Sequence, residues 1–238
     1  MSVNDSVANS DPSAHVFSHL RESATRQKPT IFSIIENFFD EDTYASLIGK
    51  WPSFQDVESL KLAKEIYPDR RLLRLSGEQV AAFERQESEV WSMVCTILNS
   101  KEMTQTIVKK FPEILLPKLK QASQLTVDVR LCEDLNGYTL GPHTDVSYKL
   151  YTLLIYAPVD TDHSHFGTRF YEPREAGFTD TGDSHFDFDQ FVEVDAAPYR
   201  PNTAVLFPRT DSSFHGVLPL DDPDYVRRSI VVNVYTQS

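Results

Sequence analysis

The stretch Leu125-Thr-Val-Asp-Val-Arg-Leu-Cys-Glu133 alternates apolar and polar residues with a period of two, the pattern of a strand with one buried face. Before it, apolar residues recur at helical spacing; after it, short β-rich runs bounded by Gly, Pro, Asp and Asn continue to the C-terminus. The change of period divides the chain. Strands are expected at Leu125–Glu133, His143–Ser147, Leu150–Pro158, Thr168–Tyr171, Phe191–Val194, Ala204–Pro208, Phe214–Leu218 and Arg228–Tyr235. Eight short strands after a helical first half predict an α+β fold, with a closed or sandwich-like β core and helices packed on one sheet.

Upstream, Thr30–Glu36 reads as a strand, and Asp40 as the N-cap of a helix carrying Tyr44, Leu47, Ile48 and Trp51 on one face. Further helices are expected at Val57–Ile66, Glu78–Leu98 and Met103–Phe111, the last ending before Pro112. Residues 1–28 read as a flexible leader or an isolated helix around Ala14–Thr25, which leaves one domain over 29–238, helical over about 40–120 and β over about 125–236. Asp160–Asp189 holds eight acidic residues and three of the seven histidines, and reads as a long surface excursion.

The 238 residues are 40% apolar and 24% charged, enough for a real core. A net charge of −12 is the wrong sign for neutralising phosphates, so no nucleic-acid partner is expected. Cys95 and Cys132 are too few for a disulfide scaffold and read as free buried thiols. The polar Met1–Ala14 segment and the lack of 18 consecutive apolar residues predict a cytoplasmic protein with no membrane partner.

The chemistry-bearing stretch is Tyr138-Thr-Leu-Gly-Pro-His143-Thr-Asp145. In a strand, His143 and Asp145 share a face, and an imidazole beside a carboxylate supplies two ligands of a metal site. The third candidate is His215 in Ser213-Phe-His215-Gly-Val, 70 positions beyond Asp145. Two His and one carboxylate leave coordination positions open on a divalent ion, as in non-haem Fe(II) oxygenases. His-x-Asp alone is weak, arising by chance roughly 0.6 times in a chain with 7 His and 20 Asp, and a second copy exists at His185-Phe-Asp187. The first copy is preferred because its gap to His215 accommodates four strands, whereas His185 falls in the polar excursion and reads as solvated loop.

Twelve residues after His215 comes Arg227-Arg-Ser229-Ile-Val-Val-Asn233-Val-Tyr235. Arg227, Ser229, Val231, Asn233 and Tyr235 share one strand face, and an inward arginine requires an anionic partner. A dicarboxylate cosubstrate provides one with bidentate geometry; a structural Asp or Glu is the plainer partner.

In order and spacing, His143, Asp145, His215, Arg227 and Ser229 resemble the Fe(II)/2-oxoglutarate-dependent dioxygenases, prolyl-hydroxylase-like enzymes with a double-stranded β-helix (jelly-roll) core. The resemblance covers about Thr30 to Tyr235, since Ile31-Phe-Ser-Ile-Ile-Glu-Asn-Phe-Phe-Asp-Glu-Asp is similar to the strand and first helix that open many of these enzymes. It implies Fe(II), 2-oxoglutarate and O2 as cofactors, with His143, Asp145 and His215 on the metal. Arg227, Ser229 and Tyr156 would hold the far carboxylate of 2-oxoglutarate, with Thr152, Leu154 and Tyr156 pointing inward. The implied reaction yields succinate and CO2 and hydroxylates an unactivated C–H of a small molecule or an exposed group. Retention of Asp145 disfavours halogenation, because related halogenases lack that carboxylate. Fe²⁺, Asp145, Arg227 and a dicarboxylate sum to a neutral loaded pocket.

Tyr138, Asn233 and Arg130 are candidates for the substrate pocket, each with a structural alternative: core packing, a structural hydrogen bond and a surface ion pair. His163 and His165 match a metal pair by spacing alone and read as solvated. The aromatic residues of the excursion, Phe166 to Phe191, serve either as a lid or as anchors. Two other classes stay open. A zinc hydrolase could use the same three ligands, and a noncatalytic jelly-roll module could keep the scaffold; Arg227-x-Ser229 has no task in the first, and the ligand set has none in the second.

Overall fold

The computed structural model describes residues 11–54, 68–81, 83, 85–182 and 184–237. The expected helix at Val57–Ile66 lies outside the described residues.

Seven of the eight expected strands are present, and the one expected at His143–Ser147 lies earlier, as β5: β4 (Gln124–Asp134), β5 (Leu140–His143), β6 (Lys149–Tyr156), β7 (Arg169–Pro173), β8 (Phe191–Ala196), β9 (Ala204–Pro208), β10 (His215–Val217) and β11 (Arg227–Gln237). Upstream lie β1 (Thr25–Arg26), β2 (Phe32–Ile35) and β3 (Arg70–Arg74). The chain passes back and forth between two antiparallel sheets. One sheet has the order β1-β2-β9-β6-β11-β4-β3 and the other β5-β10-β7-β8. The core strands of the large sheet are thus the first, third, sixth and eighth of the set, and those of the small sheet the second, fourth, fifth and seventh: a double-stranded β-helix.

Among the described residues six helices precede the β core: α1 (Pro12–Glu22), α2 (Glu41–Gly49), α3 (Gly77–Ala81), α4 (Arg85–Leu98), α5 (Lys101–Lys110) and α6 (Pro112–Gln121). The Asp40 side chain accepts from the Thr43 amide as the N-cap of α2, as its position predicted. The Glu78–Leu98 expectation resolves into α3 and α4, and Pro112 opens a helix that the sequence reading missed, since proline is accommodated in a first turn. Leader behaviour is not what α1 shows. Val16, Phe17 and Leu20 are buried in the main core with Trp91, Met103 and Ile107, and α1 packs on α5.

Alternation along the large sheet decides which side is which. Val129 and Leu131 of β4, Tyr151, Leu153 and Ile155 of β6, and Ile230, Val232 and Val234 of β11 face the helices in one apolar cluster. The opposite face of the same strands, with Arg130 and Cys132, Thr152 and Leu154, and Val231 and Asn233, lines a cavity between the sheets. β11 therefore supplies core on one side and the candidate site on the other.

Candidate active site

His143 and His215 are direct cross-strand partners of β5 and β10. Residues so paired carry side chains on one face at close range, and the two imidazoles stand 4.3 Å apart. Each ring turns its Nδ1 toward a backbone carbonyl, Gly141 O for His143 and Ser213 O for His215, both at 3.0 Å. A carbonyl only accepts, so Nδ1 carries the proton and Nε2 keeps its lone pair, the tautomer a metal ligand needs. Burial lowers the pKa of both rings and holds them neutral, and for His143 the neighbouring His215 adds to the effect.

Asp145 arrives differently from the expectation. β5 ends at His143, so the predicted strand His143–Ser147 gives way to a β5–β6 loop, and strand alternation is not what brings the carboxylate to the histidines. Hydrogen bonds do this work. Lys149 Nζ donates to Asp145 Oδ1 at 2.6 Å, Thr152 Oγ1 donates to Oδ2 at 2.8 Å, and the buried Arg209 Nε donates to the Asp145 carbonyl at 2.9 Å. Burial pushes this carboxyl up, but the Lys149 ammonium outweighs it and holds it well below the usual carboxylate range. One potential ligand atom from each of His143, Asp145 and His215 falls within 4.8 Å of the others. Two neutral imidazoles and an ionised carboxylate on one wall form a donor set that fits a divalent ion such as Fe(II).

The cavity has a volume of about 390 Å³ and includes all three residues in its lining. Arg227 also lines it, and is 1% exposed. Its guanidinium is already partnered: Nη1 donates to Asp134 Oδ2 at 2.5 Å and Nε to Phe166 O at 2.7 Å. The plainer partner weighed for this arginine is therefore present. Arg70 from β3 binds the same carboxylate through Nε and Nη2, so two guanidiniums meet one buried aspartate. The simple charge sum for a loaded pocket is corrected accordingly: Asp134, Arg70 and Lys149 enter it beside Asp145 and Arg227.

Ser229 shares the Arg227 face, as alternation predicted, and its hydroxyl is fully buried with no hydrogen-bond partner. An orphaned hydroxyl is costly unless a ligand completes it. Two residues from a cavity-lining guanidinium, it fits a carboxylate arriving there. Arg228 faces the other way and meets Glu133.

Tyr156 points inward but does not reach the cavity. Its hydroxyl donates to Thr168 Oγ1 and accepts from the Thr168 amide, both at 2.8 Å, and Thr168 forms the cavity wall in its place. Tyr138 is also displaced from its expected role: buried outside the cavity lining, it lies under the Arg70 guanidinium, 4.0 Å from ring centre to Cζ. Asn233 and Arg130 both line the cavity.

Three histidines of the excursion fall differently from one another. His163 hydrogen-bonds Asp222 at 2.9 Å and stacks on Tyr225, a structural tie rather than half of a metal pair with His165. His185, read as solvated loop, is exposed yet lies at the cavity, its ring 4.7 Å from that of His143. The excursion is tied down beside it. Phe178, Phe186 and Phe188 pack around Tyr171, Phe191 and Phe214, the Phe186 amide donates to Pro142 O, and Thr144 Oγ1 donates to Asp180. Gly182, with φ +105°, lies where a Cβ would come within 2.7 Å of the Asp145 carbonyl.

Arg70, Asp134, Lys149 and Thr168 escaped the sequence reading as site residues. Lys149 and Asp134 left a signal: a lysine opening an otherwise apolar strand four positions after Asp145, and an acid continuing the polar face of β4. Arg70 left none, because β3 precedes the change of period.

The fold is that of the 2-oxoglutarate/Fe(II) oxygenases. It matches a prolyl 4-hydroxylase from Phytophthora capsici with a TM-score of 0.51 at 13% identity, over 94% of this chain and 64% of that one. The non-heme α-ketoglutarate-dependent epimerase SnoN from nogalamycin biosynthesis matches with a TM-score of 0.50 at 11% identity, over 95% of this chain and 82% of that one. No family profile and no curated protein matches the sequence. No helix among the described residues is long and apolar enough to cross a membrane.

Proposed function

We propose that this chain is an Fe(II)- and 2-oxoglutarate-dependent dioxygenase that oxidises an unactivated C–H of a small molecule or an exposed group, releasing succinate and CO2. The observation that carries the reading is one cavity lined by the His143, Asp145 and His215 donor set and by Arg227, with the buried, orphaned Ser229 hydroxyl two residues from that guanidinium. A metal hydrolase has no task for that second group.

In this reading His143, Asp145 and His215 hold the iron, which when bound supplies the activation of O2 coupled to decarboxylation of the cosubstrate. The protein's own part is positional and electrostatic. Gly141 and Ser213 carbonyls fix the two imidazole tautomers, and Lys149 and Thr152 fix the carboxylate. Arg227 and Ser229 receive the distal carboxylate of 2-oxoglutarate, while Asp134, shared with Arg70, holds the guanidinium in place. Tyr156 acts one step back, holding Thr168 in the wall. A cytoplasmic setting belongs to the same reading, with Cys95 and Cys132 unpaired.

The test is anaerobic titration with Fe(II) and 2-oxoglutarate. A weak visible charge-transfer band and succinate formed on admitting air are expected; metal binding with neither would favour the zinc hydrolase or the noncatalytic module.

A further inference from the structure

A second orphan lies on the same strand face. The Asn233 carboxamide lines the cavity, is 6% exposed, and has an Oδ1 with no hydrogen-bond partner. It is four residues from Ser229, about 13 Å along a strand, so the two unsatisfied groups are well separated on this face, Asn233 in the cavity wall and Ser229 buried two residues from the cavity-lining Arg227. Asn233 lies at the metal end: its cross-strand partner in β6 is Thr152, whose hydroxyl holds Asp145. A cosubstrate anchored near Ser229 by one carboxylate commits its other end to the ion. The Asn233 carboxamide is therefore left for a different molecule.

Arg130 stands beside it. Val231 is its cross-strand partner, which makes Asn233 a diagonal neighbour on the same face. Both its Nε and its Nη2 go to Asp128 Oδ2, at 2.6 and 2.5 Å, and Nη1 has no partner among the described residues. Arg74 takes the other oxygen of Asp128 at 2.7 Å. Two guanidiniums thus share one carboxylate, and of the two only Arg130 lines the cavity. A guanidinium edge with both N–H groups of Nη1 free suits a carboxylate, and the Asn233 Oδ1 acceptor next to it suits an N–H or O–H on that same molecule.

We propose that Arg130 and Asn233 form the substrate subsite, and that the substrate is a small carboxylic acid bearing an amide or hydroxyl close to its carboxylate. This deepens the dioxygenase reading and rests on it for which end of the cavity the cosubstrate takes.

The probe is N-acetylglycine, a small molecule with a carboxylate and an adjacent amide, added anaerobically to protein loaded with Mn(II) and 2-oxoglutarate. Mn(II) speeds relaxation of nearby protons, so the probe's methylene signal reports binding beside the metal without turnover. Loading is measured first; if Mn(II) or 2-oxoglutarate does not bind, it is the dioxygenase reading that fails. With loading intact, enhanced relaxation is expected for N-acetylglycine and not for its neutral methyl ester. Arg130→Gln should weaken probe binding at least tenfold, and Arg130→Lys should restore part of it. Asn233→Asp should exchange preference, losing N-acetylglycine and gaining the cation glycinamide, which keeps the test decisive if an Arg130 variant fails to fold. Equal relaxation of acid and ester, no enhancement in the loaded wild type, or an Asn233→Leu variant that loses affinity for 2-oxoglutarate instead of the probe would overturn the subsite.

Discussion

At the scale of single residues, Arg227 and Ser229 give tests of opposite sign. Arg227→Ala removes one of the two guanidiniums on Asp134, and Arg70 remains on that carboxylate, so the fold should survive. Losing one partner of a buried ion pair costs about 3–5 kcal/mol, so 2-oxoglutarate affinity should fall by about two to three orders of magnitude. Arg228→Ala, on the face that meets Glu133, should change it little, and anaerobic titration of the two variants decides whether the clamp sits on this face of β11. Ser229→Ala should do two things at once. It deletes a buried hydroxyl without a partner, so the cosubstrate-free protein should gain about 1 kcal/mol or more and melt a few degrees higher. It also deletes a hydrogen bond to the bound carboxylate, so 2-oxoglutarate affinity should fall about ten- to hundredfold. A Ser229→Ala protein less stable than wild type would mean that the hydroxyl has a partner in solution and is not waiting for a ligand.

At the scale of elements, the β5–β6 loop and the excursion are packed against each other, and the metal-facing carboxylate depends on that contact. In Gly182→Ala the new methyl group meets the Asp145 carbonyl and the Val146 backbone, in a conformation that side chains rarely adopt. Metal affinity should drop about tenfold or more while circular dichroism stays native; unchanged affinity would show that the loop keeps its shape without the excursion. How much of the site could be read from the sequence follows the same division. Strand periodicity placed Arg227, Ser229 and Asn233 on one face because β11 is a regular element with period two. Asp145 reached the histidines through a loop and three donors, for which no periodicity exists, so its expected strand was wrong although its neighbourhood was right. His185 was discounted because a polar loop has no register to fix it, yet its aromatic neighbours around Phe214 fix the loop in space. Tyr156 and Tyr138 were placed by chain position alone, and burial with Thr168 and Arg70 took both hydroxyls out of the cavity.

At the scale of the whole molecule, the helices and the site lie on opposite faces of the large sheet, so ligand binding should stabilise the entire β core and not a loose flap. Any ligand held only by the folded state adds about 2.7 kcal/mol at one hundred times its dissociation constant, equivalent to about 5–10 °C in melting temperature for a domain of this size. Adding a divalent metal and 2-oxoglutarate together should produce such a rise in a melting scan, and EDTA should reverse it; a shift confined to local probes would place the binding energy elsewhere. The pairing of His143 with His215 gives this coupling a specific route. β5 is the border strand of the small sheet, paired within it to β10 alone and touched on its other edge by the Phe186 amide at Pro142 O. An ion gripped by both rings would act as a rivet through that seam, fastening the outermost ribbon to its neighbour. Amide exchange along Leu140–His143 should then slow on loading more than anywhere else in the sheet, as fraying at the margin is the motion such a fastener suppresses.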